Sequence, residues 1–220
     1  MAITALDAAK WFMSQNYDTP QNTYDGNMKL QKLLYFAQLI HMAKYGEVLF
    51  KDPIYAFENG PVVENVRQDY KRCYYQLKRD VGELDPSIFT RQELDTLEKT
   101  GAIFGSSSAK ELSKLNHLHL SWKNALVRST RPGGYHVTED AKITINSIAA
   151  HDLDGIHELL KAAELTEQLN LSHETINGVT FFYDPAELTL TDELIQQLEF
   201  FKGTEPAYSL GLDKHGLVVY

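Results

Sequence analysis

Between Met28 and Tyr45, apolar residues recur at three- and four-residue spacing: Leu30, Leu33, Leu34, Ala37 and Ile40, with Tyr35, Phe36 and Leu39 alongside. A helix built on this stretch is apolar around most of its circumference, so the pattern predicts a buried helix. Gly46 follows, where a chain leaving a helix often takes φ > 0, and Glu47 to Phe50 read as a short extended piece. Pro53 opens a second extended segment, Ile54-Tyr55-Ala56-Phe57. Asn59-Gly60-Pro61 then makes a tight turn whose Pro61 serves as the first residue of the next helix. The predicted order is helix, short hairpin-like arm, turn, helix.

Other elements flank this centre. Thr4-Ala5-Leu6-Asp7 resembles a capping box opening a helix from about Ala5 to Gln15, with Leu6, Ala9 and Met13 on one face, and Asn16 to Asn27 reads as a polar loop. Val62 to about Tyr75 forms a helix with Val63, Val66, Tyr70 and Cys73 on one side, and Leu77 to Ile88 is a connector. Thr90–Glu93 and Ser108–Glu111 are capping boxes for helices that carry Leu94, Leu97 and Gly101, and Leu112 and Leu115. A helix over 121–128 gives way at Arg131-Pro132-Gly133-Gly134. Thr138-Glu139-Asp140 opens another with Ile143, Ile145 and Ile148, and 154–170 continues as helix with Ile156, Leu159, Leu160 and Ala163 in register.

From Leu171 the pattern changes. Val179–Tyr183 is β-prone after the Asn177-Gly178 turn dipeptide, Thr191–Phe201 is an amphipathic helix, and Tyr208–Leu212 and Leu217–Tyr220 flank a hairpin-sized gap at Asp213–Gly216. The expected fold class is mainly α: a compact helical domain over 1–153 with a short β-hairpin-like arm, a bridging helix over 154–170, and a small α/β extension over 171–220.

The run Lys29-Leu30-Gln31-Lys32-Leu33-Leu34-Tyr35-Phe36-Ala37-Gln38, the Tyr45-Gly46 step, the segment Ile54–Phe57 and the turn Asn59-Gly60-Pro61-Val62-Val63 resemble the Panacea antitoxin domain, a SocA-like, phage-associated family. Leu115-Asn116-His117 followed by Trp122 is similar to a later motif of that family, and Leu6–Phe12 to its opening helix, so the resemblance runs over about 4–150. Phe57 stands where the family usually has Trp, Asn116 where it has Thr, and Ser121 where it has Pro. The resemblance makes Leu30, Leu33, Leu34, Tyr35, Gly46, Gly60, Pro61, His117 and Trp122 structural motif residues. It implies a non-enzymatic bacterial or phage antitoxin that binds a co-encoded toxin, the product of an adjacent gene, alone or in a homo- or hetero-oligomer. The alternative it implies is an adaptor that delivers a toxin or another client to a cellular protease.

Charge and composition narrow the classes. Thirty acidic against twenty-one basic residues give a net charge of −9, which opposes non-specific nucleic-acid binding and so disfavours a repressor. No stretch has the run of apolar residues a membrane helix requires, and Met1–Gln15 lacks signal-peptide character, so a cytoplasmic location and no membrane partner are expected. The single cysteine, Cys73, is expected to pack beside Tyr74 and Tyr75.

No catalytic set, cofactor or metal is expected. His117-Leu118-His119 supplies two potential ligands without a third, and His41 on an apolar face reads as a hydrogen-bonded core histidine rather than a base for a hydrolase. The turn at Asn59-Gly60-Pro61 is not a phosphate cradle, since it lacks repeated glycines and Pro61 removes a donor. Two readings of it stay open: a geometric corner, or a docking surface shared by Tyr55, Phe57, Asn59, Gly60 and Pro61. Val218-Val219-Tyr220 in the tail offer a strand edge for a partner chain, although the tail can equally serve as a cover. Arg67, Lys71, Arg72, Lys78 and Arg79 form a basic band interrupted by Asp69 and Asp80, read as a solvated face.

Overall fold

The computed structural model describes residues 3–134, 136–168, 171–177, 179–203, 205, 207–214 and 216–220. The chain is mainly α with a small β extension, as expected, and divides into two compact units, Met1–Glu158 and Leu159–Tyr220. Among the described residues no helix is long and apolar enough to cross a membrane.

The first unit is built around α2 (Tyr24–Tyr45). It packs against α1 (Ala5–Ser14), α3 (Glu64–Gly82), α4 (Arg91–Phe104) and α5 (Ala109–Asn116), and against β2 (Gly60–Val63) of the hairpin. Leu30, Leu33, Leu34, Tyr35, Ala37, Leu39 and Ile40 are all fully buried, as the all-round apolar pattern requires. Gly46 ends the helix at φ 71, and its N–H donates to the Met42 carbonyl. The helix begins earlier than the sequence suggests. Thr23 caps it by accepting from the Gly26 N–H at 3.0 Å, and Gly26 lies inside the first turn because a Cβ there would press on the backbone of residues 18 and 20 and on the Tyr70 hydroxyl. A glycine that reads as a turn signal is here a close-approach residue.

Three capping boxes stand as predicted, with Thr4 and Asp7, Thr90 and Glu93, and Ser108 and Glu111 bonding reciprocally to each other's backbone N–H. A hairpin is present, but its second strand is not the one expected: β1 (Ile54–Phe57) pairs antiparallel with β2, which occupies the predicted turn and helix start, and, on its other side, with β3 (Lys142–Ile143).

Four local expectations are corrected. Pro61 does not start a helix; it lies opposite Ala56 in β2, at the sheet's edge, where a missing N–H breaks no ladder bond, and α3 starts at Glu64. Residues 47–50 form no strand, because the Leu49 and Phe50 N–H groups donate to the Gln38 side chain instead of to a neighbouring strand. Beyond Tyr75, α3 continues through Leu77 to Gly82 after a non-helical turn at Cys73 (φ −129, ψ 30); its buried face is Val66, Tyr70, Tyr74 and Leu77, and Cys73 is exposed. Residues 139–141 form one 3-10 turn leading into β3, where Ile143 is buried opposite Ile54, and the helix, α7 (Ile145–His151), starts only after the Thr144 cap.

Helix α6 (Leu120–Ser129) lies between α5 and this region, and α8 (Leu153–Gln168) spans the division between the units. The second unit holds β4 (Ser172–Ile176), β5 (Val179–Tyr183), α9 (Asp192–Glu199), β6 (Ala207–Asp213) and β7 (Gly216–Val219), with sheet order β4-β5-β6-β7. The pairs β4–β5 and β6–β7 are antiparallel, whereas β5–β6 is parallel, which requires the crossover that α9 supplies. Phe181, Leu188, Leu198 and Leu210 form its own core. Asn170, Gly178 of the predicted turn dipeptide, and His215 of the predicted hairpin gap lie outside the described residues.

Replacing Gln38 by Ala would strand the N–H groups of Leu49 and Phe50, each buried. Loss of about 2 kcal/mol or more is expected in urea-induced unfolding, and a loss below about 0.5 kcal/mol would show that the side chain is not a required partner.

Candidate functional site

The polar residues of α2 face inward and are consumed by the backbone around them. Lys29 Nζ donates to the Gly105 carbonyl at 2.7 Å, Gln31 Oε1 accepts from the Val63 N–H at 2.9 Å, Gln38 Oε1 accepts from Leu49 and Phe50, and His41 Nδ1 lies 2.8 Å from Thr96 Oγ1. Burial lowers the His41 pKa, and Glu93, Glu47 and Asp95 offset part of that effect. His41 is thus a bonded core histidine. Tyr35 hydroxyl meets Ser121 Oγ at 3.0 Å, His119 Nδ1 at 3.2 Å and Asp152 Oδ2 at 3.3 Å, while Asp152 Oδ1 accepts from the Leu120 N–H at the start of α6. Burial, reinforced by the Asp152 charge, raises the Tyr35 pKa, and burial lowers that of His119. This network joins α2, α6 and the end of α7 as structure.

His117 stacks on Trp122, ring centroids 4.3 Å apart and planes at 12°, and the Trp122 indole N–H donates to the Phe57 carbonyl at 2.9 Å. These two motif residues brace the hairpin from below. Among the described residues no group of three or more His, Cys, Asp and Glu side chains converges as metal ligands would.

The hairpin corner is the most constrained point. Gly60 has φ +104, and a Cβ built on it would lie 2.7 Å from Lys32 Nζ and 3.5 Å from Asn116 Oδ1. The corner needs glycine for both its backbone and its neighbour. Lys32 is 1% exposed, donates one hydrogen bond, to the Pro61 carbonyl at 3.2 Å, and makes no ion pair with a described residue. Burial lowers its pKa to about 7. Both side-chain polar atoms of Asn116, and His117 Nε2, are buried with no hydrogen-bond partner among the described residues.

Beside the corner lies a cavity of about 640 Å³ between the start of α2, the hairpin, α3 and residues 136–141. Its walls are apolar at Met28, Ala56, Phe57, Val62 and Leu126. Its basic side chains are Lys32, Arg67, Lys71 and His136, against one lining carboxylate, Glu58. Arg67 is held by Glu64 at 2.6 and 2.7 Å and lies over the Phe57 ring at 5.7 Å, whereas Lys71 is exposed and pairs with no described group.

The predicted docking residues fall in two places. Phe57 and Asn59 line the cavity and Tyr55 is half-buried beside them, but Gly60 and Pro61 are buried and present no side-chain surface. In the second unit, β7 is an edge strand: Val218 and Val219 are half-buried, Tyr220 is 71% exposed, and its backbone pairs with Ser209. Sequence reasoning missed the cavity, because Lys32 was hidden in an apolar helix and Lys71 was one member of a surface band. The band itself dissolves into separate roles, with Arg67 on Glu64, Arg79 on Gln76 and Lys71 at the cavity.

Residues 30–123, from α2 into α6, match the family model described as antitoxin SocA-like, Panacea domain. The resemblance carried by the sequence motifs is borne out over this stretch, which is narrower than 4–150. No curated protein matches the chain, and no solved structure does.

The Lys32 amine gives a signed prediction. Its pKa falls from 10.5 to about 7 on folding, so between those values the unfolded chain binds more protons and stability rises with pH. Urea unfolding from about pH 7 to about pH 9.5 should show this rise in the native chain beyond that of Lys32→Met, and parallel profiles would contradict it.

Proposed function

We propose that the protein is an antitoxin that holds a co-encoded toxin inactive through direct protein–protein contact, without catalysis, in the cytoplasm. The observation that carries this reading is the Panacea-domain match over residues 30–123. The buried polar groups of the first unit support a scaffold rather than a reaction centre: His41, Gln31, Gln38 and Asp152 each already hold a neighbour in place.

In this reading, residues 171–220 select the toxin. They carry a hydrophobic core of their own, so their surface can vary without disturbing the helical unit, and β7 offers backbone donors and acceptors to which an extended segment of the toxin pairs. Tyr220 beside that edge supplies an exposed aromatic anchor. The net charge of −9 favours a toxin with a basic face, such as one that acts on RNA or nucleotides. The corner residues Tyr55, Phe57 and Asn59 form a second contact area on the first unit.

Co-expression with the neighbouring gene should rescue growth, in protease-deficient cells as well, since direct inhibition needs no degradation. Deleting 171–220 should abolish rescue while the circular dichroism of the remaining helical unit persists. Rescue by the truncated protein would remove the tail from recognition, and loss of rescue in the protease-deficient strain would replace inhibition by delivery for degradation.

A further inference from the structure

The cavity beside the hairpin has features that the clamp at Gly60 does not require. Its volume of about 640 Å³ lies within the range of about 300–1,000 Å³ typical of sites that enclose small organic molecules. Apolar side chains form its walls, and one exposed cation, Lys71, lines it without a counter-ion among the described residues, while Lys32 is 1% exposed and spends its amine on the Pro61 carbonyl. An anion in the cavity meets the Lys71 charge beside apolar walls that exclude competing water, where a charge-assisted contact is strong.

The occupant is constrained by charge. An acidic polypeptide approaching a chain of net charge −9 is repelled at long range, whereas a small singly charged molecule meets far less repulsion and is drawn in by the local cations. The walls require an apolar body, and Phe57, already under the Arg67 guanidinium, offers a ring on which a flat body stacks. Glu58 is the one carboxylate on the rim, and it faces His136 at 3.9 Å rather than either lysine.

We propose that this cavity is a binding site for a small organic anion with a flat apolar body, its charged head set against Lys71 and its body against Met28, Phe57, Val62 and Leu126. The site shares Phe57 and Asn59 with the second contact area proposed for the toxin, but recognition through residues 171–220 does not depend on it, so its failure leaves the antitoxin reading standing.

The test titrates the full chain with 1-anilinonaphthalene-8-sulfonate, an aromatic sulfonate, followed by fluorescence, alongside its uncharged relative N-phenyl-1-naphthylamine. One saturable site is expected. Lys71→Gln should weaken the sulfonate about tenfold, the effect of one lost charge-assisted contact, while leaving the neutral compound unchanged. Lys71 is exposed, so this variant stays folded. Methyl resonances of Met28, Val62 and Leu126 should shift on binding. Displacement by 1-naphthoate or by adenosine monophosphate assigns the head as carboxylate or phosphate, and either supports the proposal. Equal affinity of native and Lys71→Gln chains for the sulfonate overturns it. So do equally tight binding of the neutral compound, methyls that do not move, or displacement by neither anion, which would leave the cavity to a partner's side chain.

Discussion

Enclosing a helix on all sides removes water from every polar group it carries, and α2 carries several. Lys29, Gln31, Lys32, Gln38 and His41 are all buried along one 22-residue helix. Each unbonded polar group would cost about 1–3 kcal/mol, and more where charged. The fold meets that demand with the backbone of whatever wraps the helix: the carbonyl of Gly105 after α4, the end of β2, the carbonyl of Pro61 and the loop at 49–50, with the Thr96 hydroxyl for His41. The clamps therefore specify where each segment sits, which apolar contact alone does not do. The placement of Lys29, Gln31, Lys32 and Gln38 around the apolar residues of 29–38 is the record of that arrangement, since the apolar members fill the core and the polar ones fix its neighbours.

The hairpin corner shows how tightly this works. Lys32 reaches the Pro61 carbonyl only because Gly60 has no Cβ, and Gly60 takes φ +104, a conformation that other residues rarely adopt. The Gly-Pro pair and the second lysine of the helical run are one device, made of residues far apart in sequence. On one side of it Trp122 bonds Phe57, and on the other the chain opens into the cavity. The second unit is organised differently, by a parallel pair and a crossover helix over a small core, which suits a part whose surface is free to vary.

Much of this was legible in the sequence. The buried helix, the three capping boxes, the αL stop at Gly46, the strand at Ile54–Phe57 and the β character of the tail all rest on local pattern or local hydrogen bonding. What was misread depends on distant partners. Gly26 looks like a turn until Tyr70 and the backbone of 18 and 20 are seen against it; Pro61 looks like a helix start until β1 pairs with it; Ile143 looks helical until Ile54 lies opposite. Cys73 was assigned to the core by periodicity, and one non-helical turn put it outside. The cavity was beyond reach for the same reason, because its lining comes from α2, the hairpin, α3, Leu126 and residues 136–141, and no spacing rule connects them.

The claim on which the account depends is that the wrapping segments are held by α2 as one cooperative body. Native-state hydrogen exchange tests this directly at the N–H groups of Val63, Leu49 and Phe50, whose acceptors are the side chains of Gln31 and Gln38. The account predicts that these amides open with the same free energy as the central amides of α2, by unfolding of the whole unit. Exchange through local opening, with these amides released while α2 stays protected, would contradict it.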